Sequence, residues 1–92
     1  MIFDFSPEKN KILKLQRDIT FEEVIEEIEN AEIDLDIIPH SNTIKYPNQF
    51  MFIIKMKGYI YSIPFIKNEN KIFLKTIFPD RRLLKKYNLI HN

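Results

Sequence analysis

Cysteine is absent, so neither a disulfide framework nor a thiolate zinc site holds the fold, and an apolar core has to supply its stability alone. Long apolar runs are missing as well. The longest, Phe50 to Ile54, falls far short of the roughly 20 residues that a membrane helix needs. Asp4 and Pro7 interrupt the N-terminal stretch where a secretory signal would be continuously apolar. The expectation is a cytoplasmic protein with no membrane partner. Glycine occurs once, at Gly58, which excludes a Gly-rich phosphate loop; H-E-x-x-H does not occur, and the only histidines are His40 and His91. No metal site and no cofactor are expected, and His91, so near the last residue, reads as an exposed, frayed side chain.

What is present describes a chain that folds. The sequence has 92 residues, 45% hydrophobic and 29% charged, which is ordinary globular composition and leaves room for one core, hence one domain over residues 1–92. The net charge of +1 conceals a sharp division. From Asp18 to Asp36 every charged residue is acidic, whereas from Lys71 to Lys86 the charges are Lys71, Lys75, Arg81, Arg82, Lys85 and Lys86 against Asp80 alone. A basic face for a polyanion and an acidic face for something else would have this pattern.

Local signals order the elements. Met1 to Phe5 reads as a short strand, and Ser6-Pro7 as the N-cap and first position of a helix running to about Arg17, with Ile12, Leu13 and Leu15 on a narrow apolar face. Thr20 and Glu23 form a T-x-x-E capping box flanked by a staple of Ile19 and Val24; Phe21, Val24, Ile25 and Ile28 then define the buried stripe of a second helix over Glu22 to Asn30. Ile33 to Ile38 alternates as a strand, and Pro39 to Asn48 is a loop. Three strand candidates follow, Gln49 to Met56, Tyr59 to Ile66 and Lys71 to Phe78, joined by Lys57-Gly58 and by Lys67 to Asn70 in an antiparallel meander. Pro64 inside the second of these implies a bulge or an edge-like stretch. Asp80 is placed as N-cap of a closing helix, Arg81 to about Asn88, docked by Leu83, Leu84 and Tyr87. The order is β, α, α, β, β, β, β, α, an α+β domain.

The strongest chemical constellation is K-T-I-F-P-D-R-R-L-L-K-K-Y, Lys75 to Tyr87, with His40 and Lys45 of the long loop as partners. Metal-free RNA cleavage needs a base for the 2′-hydroxyl proton, an acid for the leaving oxygen, and cations for the charge that builds on phosphate; His, Lys, Arg and Tyr fill those roles. On the residues alone the bland reading leads: a solvated face for Arg81, Arg82, Lys85 and Lys86, a loop histidine without a task at His40, and packing for Tyr59, Tyr61 and Tyr87.

F-D-F-S-P-E-K-N-K at Phe3 to Lys11 with T-F-E-E-V at Thr20 to Val24, then H-S-N-T-I-K-Y-P-N-Q at His40 to Gln49, I-Y-S-I-P-F at Ile60 to Phe65, and F-L-K-T-I-F-P-D-R-R with K-K-Y together resemble the BrnT-like toxins of bacterial toxin–antitoxin pairs. The resemblance implies a RelE-like fold, with two N-terminal helices on a four- to five-stranded antiparallel sheet and a short C-terminal helix. It also implies a ribonuclease that slows translation by cutting mRNA until a cognate antitoxin neutralises it. The family's functional cations, at the end of the last strand and the start of the final helix, carry over onto Lys75, Arg81 and Arg82; together with the constellation above, the expected catalytic set is His40, Lys75, Arg81 and Tyr87, and the RNA-binding set Lys45, Lys71, Arg82, Lys85 and Lys86. The chain departs from the family where Phe78-Pro79-Asp80-Arg81 replaces a small-residue turn of the R-I-I-S-A-R type. The departure gives His40 a larger role than in typical members. The alternative is a non-catalytic module that binds nucleic acid or a partner within a complex.

Overall fold

A computed structural model describes residues 1–30 and 35–86. In chain order the elements are β1 (Ile2–Phe5), α1 (Pro7–Arg17), α2 (Phe21–Asn30), β2 (Leu35–Pro39), β3 (Gln49–Met56), β4 (Tyr59–Asn68), β5 (Lys71–Leu74), β6 (Phe78–Pro79) and a 3-10 turn (Arg81–Leu83).

Both helices begin as their caps dictate. The Ser6 hydroxyl accepts from the Lys9 N–H at 3.2 Å, and Asp18 closes α1 in the left-handed region at φ 51°. Thr20 Oγ1 accepts from the Glu23 N–H at 3.2 Å and donates to the Glu23 carboxylate at 3.3 Å, while the staple residues Ile19 and Val24 are fully buried. Asn10 adds a joint that local pattern does not reveal. Its Oδ1 accepts from the Phe21 N–H at 2.7 Å and its Nδ2 donates to both carboxylate oxygens of Glu22, which ties α1 to the first turn of α2. The apolar face expected of α1 shrinks to Leu13. Ile12 is 43% and Leu15 87% exposed, because successive helix positions lie 100° apart and only one of the three faces the sheet.

Among the described residues, six strands form one sheet in the order β1-β5-β4-β3-β2, with β6 on the β5 side of β4. The meander β2 to β5 is antiparallel as expected. The sheet as a whole is mixed, which corrects the all-antiparallel expectation: β1 pairs with β5 in parallel, Ile2 against Lys71 through Phe5 against Leu74. The expected strand Lys71 to Phe78 is broken in two. Pro64 explains the break, since its carbonyl accepts from the Lys75 N–H at 2.8 Å, so its N, which carries no hydrogen, faces the same neighbour. β5 therefore ends at Leu74, the chain bulges over residues 75–77, and pairing resumes at Phe78 against Ser62.

Alternation gives the sheet two faces. Phe52, Ile54, Ile63, Phe65, Ile72 and Leu74 pack beneath Leu13, Phe21 and Val24 in the main core, to which Ile77 of the bulge also belongs. On the helix-free face Ile53, Ile60 and Leu84 form a second cluster with Ile38, Met51, Tyr59 and Leu83. The closing helix expected over Arg81 to Asn88 is, within the described residues, only the 3-10 turn followed by further turns to Lys86; Tyr87 and Asn88 lie outside them. Two consecutive leucines, Leu83 and Leu84, dock that segment without a full helix. Ile33, at the start of the expected strand Ile33 to Ile38, is also outside the described residues, and β2 extends one residue further, to Pro39.

The two outer strands carry the same local device. The Ile2 N–H donates to Asn70 O at 2.9 Å, so the Phe5 N–H, three residues on, points away from β5; it donates to Asp4 Oδ1 at 2.8 Å. The His40 N–H donates to Gln49 O at 2.9 Å, so the Ile37 N–H points away from β3; it donates to Asp36 Oδ1 at 2.9 Å, and Pro39 has no N–H to offer. An aspartate thus blunts each edge against further strand addition. No helix among the described residues is long and apolar enough to cross a membrane.

Candidate nucleic-acid interface

The C-terminal block is fastened to the helix-free face through a buried carboxylate. Asp80 is 3% exposed; its backbone N–H donates to Ile60 O at 2.9 Å, and its Oδ2 accepts from the fully buried Ser62 hydroxyl at 2.9 Å. Arg82 closes the arrangement as a fork, Nε to Oδ1 at 3.0 Å and Nη2 to Oδ2 at 2.9 Å. The Arg82 hydrogen bonds hold the Asp80 carboxyl below its ordinary range against the opposing effect of burial, with Ser62 assisting. Two expectations change. Asp80 stands at the N-cap position but makes no side-chain cap bond, because its oxygens serve Ser62 and Arg82. Arg82, expected on RNA, commits two of its nitrogens to Asp80.

Around this anchor the other cations are exposed. Lys71 lies on β5 opposite Ile2 and Asn68, and alternation places it on the helix-free face. Lys75 follows β5 at the bulge beside Pro64, and Arg81, Lys85 and Lys86 flank the docked leucines in sequence. The side chains of Lys75 and Arg81 form no hydrogen bond or ion pair among the described residues. The glutamates Glu22, Glu26 and Glu29 are exposed on α2, across the sheet. Besides Asp80, alternation puts Asp4 and Asp36 on the cationic side, and each accepts a backbone N–H at its own strand edge.

His40 and Lys45 form a separate group. The His40 ring lies 4.6 Å from that of Tyr46, Lys45 Nζ is 5.3 Å from the Tyr46 centroid, and His40 Nδ1 accepts from the Asn42 N–H at 2.9 Å. Asn42 also takes the N–H of Lys45 on its side chain at 3.0 Å and that of Tyr46 on its carbonyl at 2.9 Å. The neutral His40 ring then carries its proton on Nε2, available to donate. Tyr46 and Asn42, which order this loop, had no assigned role in the sequence; an Asx-type turn at Asn42 was the available signal.

The register separates the expected catalytic residues. His40 is level with Gln49 on β3, hence with Ile66 and Phe73, at one end of the sheet; Arg81 follows Asp80, which is level with Ile60 toward the other end. Three strand spacings across and about six residues along put them more than roughly 20 Å apart. Lys75 and Arg81 instead share the β5–β6 column, separated by about four residues of β4, roughly 14 Å. Tyr87 lies outside the described residues. Among the described residues no group of three or more His, Cys, Asp or Glu side chains is arranged to hold a metal ion. No family model matches the chain, and no curated protein or solved structure shows significant similarity to it.

Proposed function

We propose that the chain is a toxin of a type II toxin–antitoxin pair that binds mRNA on its helix-free face and cleaves it without a metal, under the control of a cognate antitoxin. The observation that supports this most is the gathering of cations around the buried Asp80 anchor: Lys71 and Lys75 on or beside β5, and Arg81 next to Asp80, with the exposed α2 glutamates across the sheet. Such a face concentrates a polyanion, and Lys75 and Arg81, both in the β5–β6 column and without a side-chain partner among the described residues, are placed to stabilise charge building on a phosphate. The test is incubation of purified protein with RNA in EDTA. Wild type is expected to cut, and Lys75→Ala and Arg81→Ala to lower the rate more than about tenfold.

A second reading, RNA binding without cleavage, is favoured by the separation of His40 from Arg81. It predicts affinity that falls steeply with salt and no product in any buffer. Intact RNA with salt-sensitive binding would replace the first reading by the second, and absence of both would remove the two together.

A further inference from the structure

The helices are shorter than the sheet they cover. α1 has 11 residues and α2 has 10, about 16 and 15 Å, whereas the 10 residues of β4 extend about 34 Å. Among the described residues one end of the helix-side face is therefore not covered by a helix, and there Met1, Ile37, Phe50, Phe52, Phe65, Ile72 and Lys67 line a cavity of about 140 Å³. Its floor is rigid. Phe52 and Phe65, both buried, stack at 4.1 Å, and Phe50 stacks on Phe65 at 5.6 Å from the facing register position. Its rim is apolar and open, with Met1 74% and Ile37 53% exposed. Lys67 has the one charged side chain among the described lining residues, and its ammonium has no carboxylate partner among the described residues.

We propose that this cavity binds a small carboxylic acid carrying one ring-sized apolar group. The volume matches that of an apolar protein cavity of about 150 Å³ that takes up benzene. Phenylalanine faces favour an aromatic or branched aliphatic body, and the unpaired ammonium selects an anionic head over a neutral one. The site lies across the sheet from the cations of residues 71–86, so it is independent of the RNA reading.

Phenylpropionate is the probe, followed by methyl NMR of the full chain with its isoleucine and methionine methyls labelled. The expected result is saturable shifts of Ile37, Ile72 and Met1, weaker binding of phenylpropanol, and none of acetate. Lys67→Met, which keeps an apolar stem, is expected to weaken the acid about fivefold and leave the alcohol unchanged. Ile37→Trp on the exposed rim is expected to abolish binding with an unaltered melting temperature. Absence of saturation at those methyls overturns the site. Equal binding of acid and alcohol, or indifference to Lys67→Met, overturns the assigned ligand class.

Discussion

Removing the Asp80 carboxylate tests how the C-terminal block is held. In Asp80→Ala the Ser62 hydroxyl, 0% exposed, is left without the acceptor it reaches at 2.9 Å. An orphaned buried polar group costs about 1–3 kcal/mol, and the lost side-chain bonds bring the expected destabilisation to about 2–3 kcal/mol. That is a large part of the 5–15 kcal/mol typical of a domain. The orphan is the larger component, so Ser62→Ala/Asp80→Ala should be less destabilised than the sum of the single variants, with a coupling of about 1 kcal/mol. Urea denaturation of the four proteins measures this cycle. pH supplies a second arm. The folded Asp80 pKa lies below its unfolded value, so its contribution is present above the unfolded value and is lost as pH falls through the folded one. The wild type should lose stability in acid, below the ordinary carboxylate range, and Asp80→Asn should flatten that loss. Strict additivity in the cycle, or an Asp80→Ala effect below about 0.5 kcal/mol, would refute the anchor.

Two further expectations concern turns and edges. Lys57 sits at φ 54° while its Nζ donates to Asp18 O at 2.6 Å and pairs with Glu23 at 2.9 Å. Lys57→Ala keeps the left-handed strain and loses both contacts; Lys57→Gly loses the contacts but not the backbone's comfort, and should be about 1 kcal/mol more stable than the alanine variant by thermal melting. Equal melting of the two would show that the strain is absent. Asp36→Ala releases the outward Ile37 N–H and should raise concentration-dependent association in light scattering; a strictly monomeric variant would show that the aspartate does not guard the edge.

What the sequence disclosed is what neighbours along the chain decide. The Ser6 cap, the Thr20/Glu23 box, the Ile19/Val24 staple and the Lys57-Gly58 turn each depend on residues within five positions, and each forms as read. The parallel pairing of β1 with β5 depends on residues about seventy positions apart, which no local period records. Pro64 was legible as an interruption, but its effect falls on the neighbouring strand, where Lys71 to Phe78 splits. At the candidate site the residue types were legible and their grouping was not. Asp80 looked like a cap because nothing in the sequence places Ser62 beneath it.

That grouping bears on the chemistry proposed. β2 and the β5–β6 column belong to one hydrogen-bonded sheet, and the His40 loop is tied to β3 by His40 to Gln49 at 2.9 Å and Gln49 to Tyr46 at 3.3 Å. Rotation of side chains cannot close a gap of roughly 20 Å, so His40 and Arg81 cannot act on one phosphate in this conformation. In the proposed cleavage the cations that stabilise the phosphate then come from the β5–β6 column, where Lys75 and Arg81 share a side of β4. His40, with its ring against Tyr46 and Lys45 beside them, is placed to hold RNA several nucleotides away, through stacking and charge. The proposal therefore assigns opposite kinetic signatures to the two groups: loss at Lys75 or Arg81 falls on the rate at saturating RNA, and loss at His40 falls on the RNA concentration needed to reach it. A His40→Ala protein that binds RNA normally but fails to cut it would contradict this geometry and require the loop to move.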